Sequence, residues 1–434
     1  MGHLVGKDIY RQLGRKLDSL TARAPWNETL HRIIKELFSE EEADVFVRMP
    51  YSLSSFAHVA KVTGTEEAKL RTLLDAMGDK GLVIDFLLGD GYWYMPSPLF
   101  IGLFEFTMMR TGDGVDSHLL GKLFNRYLED GAAFKANSGD GKRVFVERVL
   151  PHEEALGEHI EILDYEKASA IIDNSQRFAV GICSCRHEKQ HAGTRGCTSP
   201  LEVCSTFGVA ADYMIRHRLA REISKSEMRD NFARSRELGL VFCADNVQKG
   251  VTFVCQCCGC CCIALLAVSR FGCPNFVTTS SFVADLDTTA CEGCGNCAKA
   301  CPIRAIEMVA DGDDAKRRAK KPRIDVGVCL GCGVCALKCK SSAMRLANRR
   351  QRVLHPETTF QRIILQCLER GTLQNQLFDN PSSRTQGAVR GIIGAFLGLP
   401  VVKRTLMRDA FRSRFLTAMS AGVRSQGRTD LLKV

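Results

Sequence analysis

The sequence has no long hydrophobic run and no N-terminal leader pattern. Its longest uncharged apolar stretch near the C-terminus, GIIGAFLGLPVV at residues 391–402, contains a proline and is too short to span a bilayer. The N-terminus, MGHLVGKDIYRQLGRKLDSL, contains no apolar segment of signal-peptide length. We therefore expect a cytoplasmic protein with no transmembrane segment.

Motifs for nucleotide cofactors are also lacking. No Gly-x-Gly-x-x-Gly follows a predicted strand, and no Gly-x-x-x-x-Gly-Lys-Ser/Thr is found. The sequence thus gives no sign of a nicotinamide, flavin or nucleoside triphosphate site. The histidines are assigned no ligand role; His58, for example, is interpreted as an ordinary helix residue.

Cysteine is abundant instead, with 21 in 434 residues. An odd number cannot be used up in disulfides. In a chain without an export signal, so many thiols indicate a reducing compartment, where they ligate metal or do redox chemistry. The formal net charge of +10 favours acidic partners, acidic membranes or nucleic acid.

Two cysteine runs have the same spacing: CEGCGNCAKACP at 291–302 and CLGCGVCALKCK at 329–340. Cys-x2-Cys-x2-Cys-x3-Cys is the ligand spacing of a [4Fe–4S] cluster, and the fourth cysteine usually ligates the other cluster. The predicted first cluster is held by Cys291, Cys294, Cys297 and Cys339, and the second by Cys329, Cys332, Cys335 and Cys301. Two zinc sites are the alternative, but zinc motifs normally pair two Cys-x2-Cys knuckles across a longer spacer.

Residues 288–345 resemble the bacterial-type ferredoxin domain with two [4Fe–4S] clusters. The resemblance implies low-potential, one-electron transfer by those eight cysteines. This chain departs from the family in two places. Lys340 stands where Pro302 stands in the first run, and DGDDAKRRAKKPR at 311–323 lengthens the segment between the runs.

A second set of cysteines precedes the runs. Cys183-x-Cys185 follows the apolar stretch FAVGI, and Cys255-x-Cys257 follows VTFV, so neighbouring strands of one sheet could present thiols at the same edge. A bound metal centre would keep so many thiols from repelling one another or oxidising. One expected set is Cys183, Cys185, Cys197 and Cys204; a second or shared set is Cys255, Cys257, Cys258, Cys260, Cys261 and Cys262.

The nature of this upstream centre stays open. A further iron–sulfur cluster is favoured, and a structural zinc is the alternative. Cys243, Cys262 or Cys367 could also be buried as small hydrophobic residues. Adjacent Cys257 and Cys258 could form a thiol redox centre.

The N-terminal part resembles a winged helix-turn-helix domain. Its pattern predicts helices at 28–37, 54–61 and 66–80, a capping box of Ser39 with Glu42, and a hairpin at Gly89-Asp90-Gly91. The helix at 66–80 has four acidic and three basic side chains, a net charge of −1. Because a helix in the major groove normally presents basic and amide side chains, a protein-contact or dimerisation role is favoured over DNA binding.

The expected fold class is α/β with additional helical parts, in four segments. They are a winged-helix-like module with a further helix (1–135), a cysteine-rich α/β domain (140–287), the ferredoxin-like domain (288–345) and a basic helical tail (346–434). In the second segment we predict strands at 144–150, 159–163, 177–183 and 251–255, and helices at 165–174, 201–220, 225–238 and about 259–270.

The C-terminal tail is strongly basic. Residues 381–434 contain ten basic and two acidic side chains, so they carry eight of the chain's +10 charges. A helix packed on the body with a solvated face is slightly favoured. The alternatives are a membrane-surface helix or a partner dock, and less so a nucleic-acid contact, since aromatic residues at stacking intervals are few.

These patterns together predict an iron–sulfur electron-transfer protein that relays single electrons to or from a redox enzyme or oxidoreductase subunit with an acidic docking surface. Whether the chain is itself an enzyme stays open. One alternative is an iron–sulfur redox-sensing regulator that binds DNA. Another is a catalytic reductase that acts on a disulfide or other small substrate at CQCCGCCC (255–262).

Overall fold

The computed structural model describes residues 8–112, 114–139, 141–157, 160–310, 320–425 and 428–432. It is a mixed α/β structure in which many helices surround several small sheets. One continuous apolar core extends from Leu13 in the first helix to Met344 after the second cysteine run. The first three segments expected from the sequence therefore share one core, and buried residues between Ile364 and Leu416 form a separate cluster.

The N-terminal part contains five helices and three strands. They are α1 (Ile9–Asp18), α2 (Glu28–Leu37), α3 (Glu40–Arg48), β1 (Ser54–Ser55), α4 (Phe56–Thr63), α5 (Glu67–Asp79), β2 (Val83–Leu88) and β3 (Gly91–Pro96). The strands form an antiparallel sheet in the order β1-β3-β2.

Local sequence signals account for these elements. The Asn27 side chain accepts a hydrogen bond from the Leu30 N–H at 2.8 Å, and Ser39 with Glu42 forms the expected capping box. Gly89 turns the hairpin with φ of +61°. The predicted helices and hairpin are confirmed with small shifts of their ends, and the winged-helix resemblance remains a prediction.

Three short helices follow, α6 (Phe104–Met109), α7 (Ser117–Glu129) and α8 (Ala132–Ser138). The Asn137 side chain accepts from the Arg23 N–H at 2.9 Å and so ties α8 to the N-terminal part. Phe134 on α8 stacks against Phe100 and meets Phe276 edge-on, which joins these helices to the segment after the central sheet.

The central sheet has six strands in the order β4-β8-β9-β6-β5-β7, and every pairing is antiparallel. The strands are β4 (Glu147–Leu150), β5 (Phe178–Ile182), β6 (Glu202–Phe207), β7 (Ala220–Glu222), β8 (Val241–Asp245) and β9 (Phe253–Cys257). The helices between and after them are α9 (Ala168–Asp173), α10 (Ser184–His191), α11 (Gly208–Arg216), α12 (Lys225–Glu237) and α13 (Ile263–Ser269).

The order of the strands brings the upstream cysteines to one edge of the central sheet. β5 and β9 are not neighbours, because β6 lies between them and is antiparallel to both. They therefore run in the same direction and end at the same edge of the sheet. Cys183 and Cys185 follow β5 at that edge, and Cys255 and Cys257 lie at the end of β9.

Two sequence predictions in this region are wrong. Residues 201–220 do not form one helix, because 202–207 form β6, in which Val203, Ser205 and Phe207 are buried in strand alternation. The strand expected at 159–163 is absent from 160–163, and His159 lies outside the described residues. The predicted helix at 225–238 is confirmed as α12.

The ferredoxin-like segment contains β10 (Phe282–Leu286), α14 (Asn296–Ala300), β11 (Ile306–Ala310), β12 (Lys320–Ile324), α15 (Val334–Leu337) and β13 (Met344–Asn348). β10 pairs with β13 and β11 with β12, both antiparallel. In each run the first two cysteines lie on the loop before a short helix, the third lies on that helix and the fourth follows it. Most of the charged insertion, 311–319, lies outside the described residues.

The C-terminal part is helical: α16 (Thr359–Arg370), α17 (Leu373–Leu377), α18 (Arg384–Gly398), α19 (Pro400–Met407) and α20 (Asp409–Ser425). Gln366 on α16 donates to the Thr21 carbonyl at 2.9 Å, so this part packs back onto the N-terminal region. In the described ranges no single helix has the length and apolarity to cross a membrane; only α18 with α19, bent by 74°, meets that test as a pair.

Candidate iron–sulfur and metal centres

The eight cysteines of the two runs separate into two groups. Burial raises the pKa of Cys297, and the nearby Cys291 and Cys339 raise it further. Burial likewise raises the pKa of Cys335 to about 12, with added contributions from Cys329 and Cys301. Cys339 therefore lies near Cys291 and Cys297 of the first run, and Cys301 lies near Cys329 and Cys335 of the second.

Glycines shape both turns. Gly293 and Gly331 both have φ of +70°, a conformation that L side chains rarely adopt. A Cβ on Gly331 would lie 2.1 Å from the Phe282 carbonyl oxygen, and one on Gly293 would lie 2.5 Å from that of Lys320. Four thiols per group on close-fitting glycine turns suit a [4Fe–4S] cluster, whose ligands are cysteine thiolates.

The two groups differ in exposure. In the first group Cys294 is exposed and Cys291 and Cys339 are half-buried. In the second group Cys329, Cys332 and Cys335 are all buried. The first group is thus accessible from solvent, whereas the second faces the body of the protein.

Backbone hydrogen bonds fix the second run to the central sheet. The Cys332 carbonyl accepts from the N–H of His152, which follows β4, at 2.9 Å. The Ser280 hydroxyl donates to the Gly331 carbonyl at 2.8 Å, and the Ser280 N–H donates to the Leu330 carbonyl at 3.0 Å. The position of the second group is therefore set by the sheet as well as by its own turn.

The upstream cysteines form two clusters that differ from the expected sets. Cys197 lies with Cys258, Cys260 and Cys261, and the four sulfur atoms are all within 4.8 Å of one another. Cys183, Cys185 and Cys204, which were expected to share a site with Cys197, lie elsewhere. We call the first cluster the four-cysteine site.

The second cluster is a chain of seven neighbouring thiols. Its members are Cys183, Cys185, Cys262, Cys257, Cys243, Cys255 and Cys204. Hydrogen bonds from neighbouring thiols, together with burial, raise the pKa of Cys183 and Cys255 well above the ordinary value. Cys183 and Cys255 therefore hold their protons near neutral pH unless a metal replaces them.

Six of these seven thiols line a cavity of about 310 Å³. Glu105 and Glu147 line the same cavity. Burial raises the pKa of Glu105 to about 8 and that of Glu147 to about 7. The cavity thus combines soft sulfur ligands with carboxyl groups that can hold a proton near neutral pH.

Arg186 lies between the two clusters. It is fully buried and donates to the carbonyls of Pro200 at 2.9 Å and Gln256 at 2.7 Å. A hydrogen bond from Cys261 lowers the pKa of Cys258 to about 4, and the charge of Arg186 contributes to this shift. Cys258 is therefore available as a thiolate.

The four-cysteine site directly touches the ferredoxin-like segment. A Cβ on Gly259 would lie 2.4 Å from the carbonyl oxygen of Pro302, the residue after Cys301. On its other side, a Cβ on Gly196 would lie 3.1 Å from the Cβ of Cys260. The turn at 258–261 is thus held between the loop of Cys197 and the first cysteine run.

HEKQH at 187–191 has the His-Glu-x-x-His spacing of zinc proteases, so the prediction that no histidine falls in this motif is wrong. On α10 the Nε2 atoms of His187 and His191 are 2.8 Å apart, and His187 Nδ1 is 2.6 Å from the Met108 carbonyl oxygen. Glu188 is fully buried, so it cannot reach a solvent water as a protease glutamate must. The pair is a hydrogen-bonded contact between α10 and α6.

Comparison with known proteins supports one part of the chain. Residues 290–343 match the family model of the 4Fe-4S dicluster domain. This range contains all eight cysteines of the two runs and confirms an iron–sulfur, ferredoxin-like segment. No curated protein and no solved structure matches the chain.

Proposed function

We propose that this protein is an iron–sulfur electron-transfer protein that relays single electrons to or from a redox enzyme. The observation that carries the proposal is the position of Cys339 beside the first run and of Cys301 beside the second. Each run then supplies three ligands to one cluster and the fourth ligand to the other, as in two-cluster ferredoxins. When bound, each [4Fe–4S] cluster accepts or gives one electron.

The protein residues around the two groups have different tasks. The exposed Cys294 lets a partner approach the first group closely. The buried Cys329, Cys332 and Cys335 keep water from the second group. Because burial and hydrogen bonds to sulfur tune cluster potentials, this asymmetry supports two different potentials.

The surface near Cys294 suits an acidic partner. Lys299, Arg304 and Lys340 are exposed on the same segment, and the chain is basic overall. Opposite charge on a redox partner would steer the encounter and would make its rate depend on ionic strength. We propose an acidic redox protein or oxidoreductase subunit as the partner.

The basic tail adds a second surface. Ile392 on α18 and Val401 on α19 are 71% and 67% exposed, and Arg404 and Arg408 are exposed nearby. Apolar side chains flanked by cations are typical of helices that lie on anionic bilayers. We propose that this tail contacts a membrane surface.

The proposal includes a further metal centre among the upstream cysteines, either an iron–sulfur cluster or zinc. The converging sulfur atoms of the four-cysteine site and the buried chain of seven thiols support it.

A reductive titration followed by electron paramagnetic resonance (EPR) tests the electron-transfer proposal. The anaerobically purified chain should take up about two electrons in one-electron steps and develop the spectrum of two interacting reduced clusters. Uptake of electrons only in pairs, by thiol–disulfide chemistry without a paramagnetic signal, would contradict it.

The thiol-lined cavity favours a second candidate, a catalytic reductase. Glu105 and Glu147 could supply protons to a small substrate bound beside the seven thiols. This function predicts substrate-dependent reoxidation of the reduced protein with no protein acceptor present. A Glu105→Gln variant should slow that reoxidation and leave reoxidation by a protein acceptor unchanged.

A further inference from the structure

The four sulfur atoms of the four-cysteine site are close enough together to surround one ion. The Sγ–Sγ distances are 3.5 Å for Cys260–Cys261, 3.7 Å for Cys197–Cys258, 3.7 Å for Cys258–Cys260 and 3.9 Å for Cys197–Cys261. A tetrahedral tetrathiolate ion with metal–sulfur bonds of about 2.3 Å requires sulfur atoms roughly 3.8 Å apart. In a [4Fe–4S] cluster each thiolate binds a different iron, so the sulfur atoms must lie farther apart.

We propose that Cys197, Cys258, Cys260 and Cys261 bind a single thiophilic divalent ion, zinc or ferrous iron, in tetrahedral coordination. The same four thiolates suit either metal, because tetrahedral sulfur sites take both. None of these four cysteines belongs to the two runs, so the inference refines the further metal centre of the proposed function and does not depend on electron transfer by the runs.

The surroundings match the charge of such a site. Four thiolates around a divalent ion leave a net charge of −2, which needs compensation where water is scarce. The buried guanidinium of Arg186 is held beside Cys258 by the carbonyls of Pro200 and Gln256, which cannot neutralise it.

The ion would join two irregular segments that flank the paired strands β6 and β9. Cys197 lies on the irregular loop between α10 and β6, and the other three ligands lie on the turn between β9 and α13. The loop comes so close that a Cβ on Gly196 would lie 3.6 Å from the Cys260 sulfur. Since Gly259 of the same turn touches Pro302, the ion also fixes the surface on which the first cysteine run rests.

The test compares metal contents of the full-length chain purified anaerobically. Zinc, iron and acid-labile sulfide are measured in the wild type, in Cys197→Ser and in Cys260→Ser, with Cys367→Ala as a control outside both clusters. We expect each serine variant to lose about one ion per chain, with no loss of sulfide and an unchanged EPR spectrum of the reduced protein. The zinc and iron measurements identify the ion, and the control should keep it.

Cobalt substitution checks the geometry separately. The wild type loaded with Co²⁺ should show the visible absorption of a tetrahedral cobalt tetrathiolate, and Cys260→Ser should not. No metal difference between variants and wild type, or a loss of several irons with as many sulfides, would overturn the single-ion site. Failure of the electron-transfer proposal would look different, since iron and the EPR signal would then be missing from the wild type itself.

Discussion

The carbonyl oxygen of Pro302 occupies the space that a side chain on Gly259 would need, because a Cβ there would lie 2.4 Å from that oxygen. Pro302 follows Cys301 of the second cysteine group, and Gly259 lies between Cys258 and Cys260 of the four-cysteine site. Two cysteine-rich parts that are separate in sequence are thus in backbone contact.

Gly259→Ala should weaken this contact. The added methyl group has to displace a backbone carbonyl, and overpacking of this kind costs about 1–3 kcal/mol. We expect cluster absorption to be lost at a lower denaturant concentration than in the wild type. Gly391→Ala on α18 is the control, because nothing lies within 4 Å of its Cβ position. Equal midpoints for Gly259→Ala and wild type would show that the two parts do not support each other.

Gly331→Ala should damage the second cysteine group selectively. Its Cβ would lie 2.1 Å from the Phe282 carbonyl oxygen at φ of +70°, so both backbone strain and a clash act on the turn. Iron content should fall by roughly half, since one of two clusters is affected. Gly250 has a similar φ of +68°, and nothing lies within 4 Å of its Cβ position. The Gly250→Ala variant is therefore the control and should keep the full iron content. Full iron in Gly331→Ala would contradict the assigned position of the cluster.

His217 should make stability depend on pH. Burial lowers its pKa, but hydrogen bonds with Asp85 at 2.8 Å and Asp79 at 2.7 Å outweigh burial, and the pKa is raised overall in spite of nearby Arg216. Because the pKa of His217 is higher in the folded than in the unfolded protein, the charged histidine stabilises the fold fully at pH values below its unfolded pKa of about 6.5. This stabilisation is lost as the pH rises through the pKa of His217 in the folded protein.

We therefore expect the difference in unfolding temperature between wild type and His217→Gln to shrink as pH rises above about 6.5. Thermal unfolding followed by circular dichroism over a pH series measures it. The exposed His118→Gln serves as the control and should show no such trend. A difference that stays constant with pH would argue against the charged His217 contact.

The exposed apolar side chains of the tail should bind anionic membranes. Vesicles that contain phosphatidylglycerol should sediment the wild type, and binding should weaken with salt because the attraction to Arg404 and Arg408 is screened. Ile392→Ser with Val401→Ser should reduce binding several-fold, whereas Leu354→Ser, which is 58% exposed but lies before the tail helices, should not. Equal binding to neutral phosphatidylcholine vesicles would show that charge plays no part.

Local signals allowed much of the structure to be predicted. The Ser39–Glu42 capping box and the hairpin at Gly89 each depend on a few neighbouring residues, and both are found at the predicted positions. The two cysteine runs could also be recognised from the sequence, because the spacing of the cysteines within each run identifies the ligands. The family match covers both runs.

Long-range pairing was not predictable in this way. Cys197 joins Cys258 because β6 lies between β5 and β9, an order that no local pattern encodes. Residues 202–207 were expected to be helical, but their side chains pack as a strand between those two neighbours. The HEKQH spacing was visible in the sequence, yet only the structure shows that Glu188 is buried.

The most direct test of the central claim is an iron and acid-labile sulfide count, with EPR of the reduced form, on the chain purified without oxygen. The account predicts about eight irons and eight sulfides in the two clusters, with the signal of two neighbouring paramagnets. A colourless protein without sulfide, whose eight run cysteines hold zinc or pair as disulfides, would contradict it.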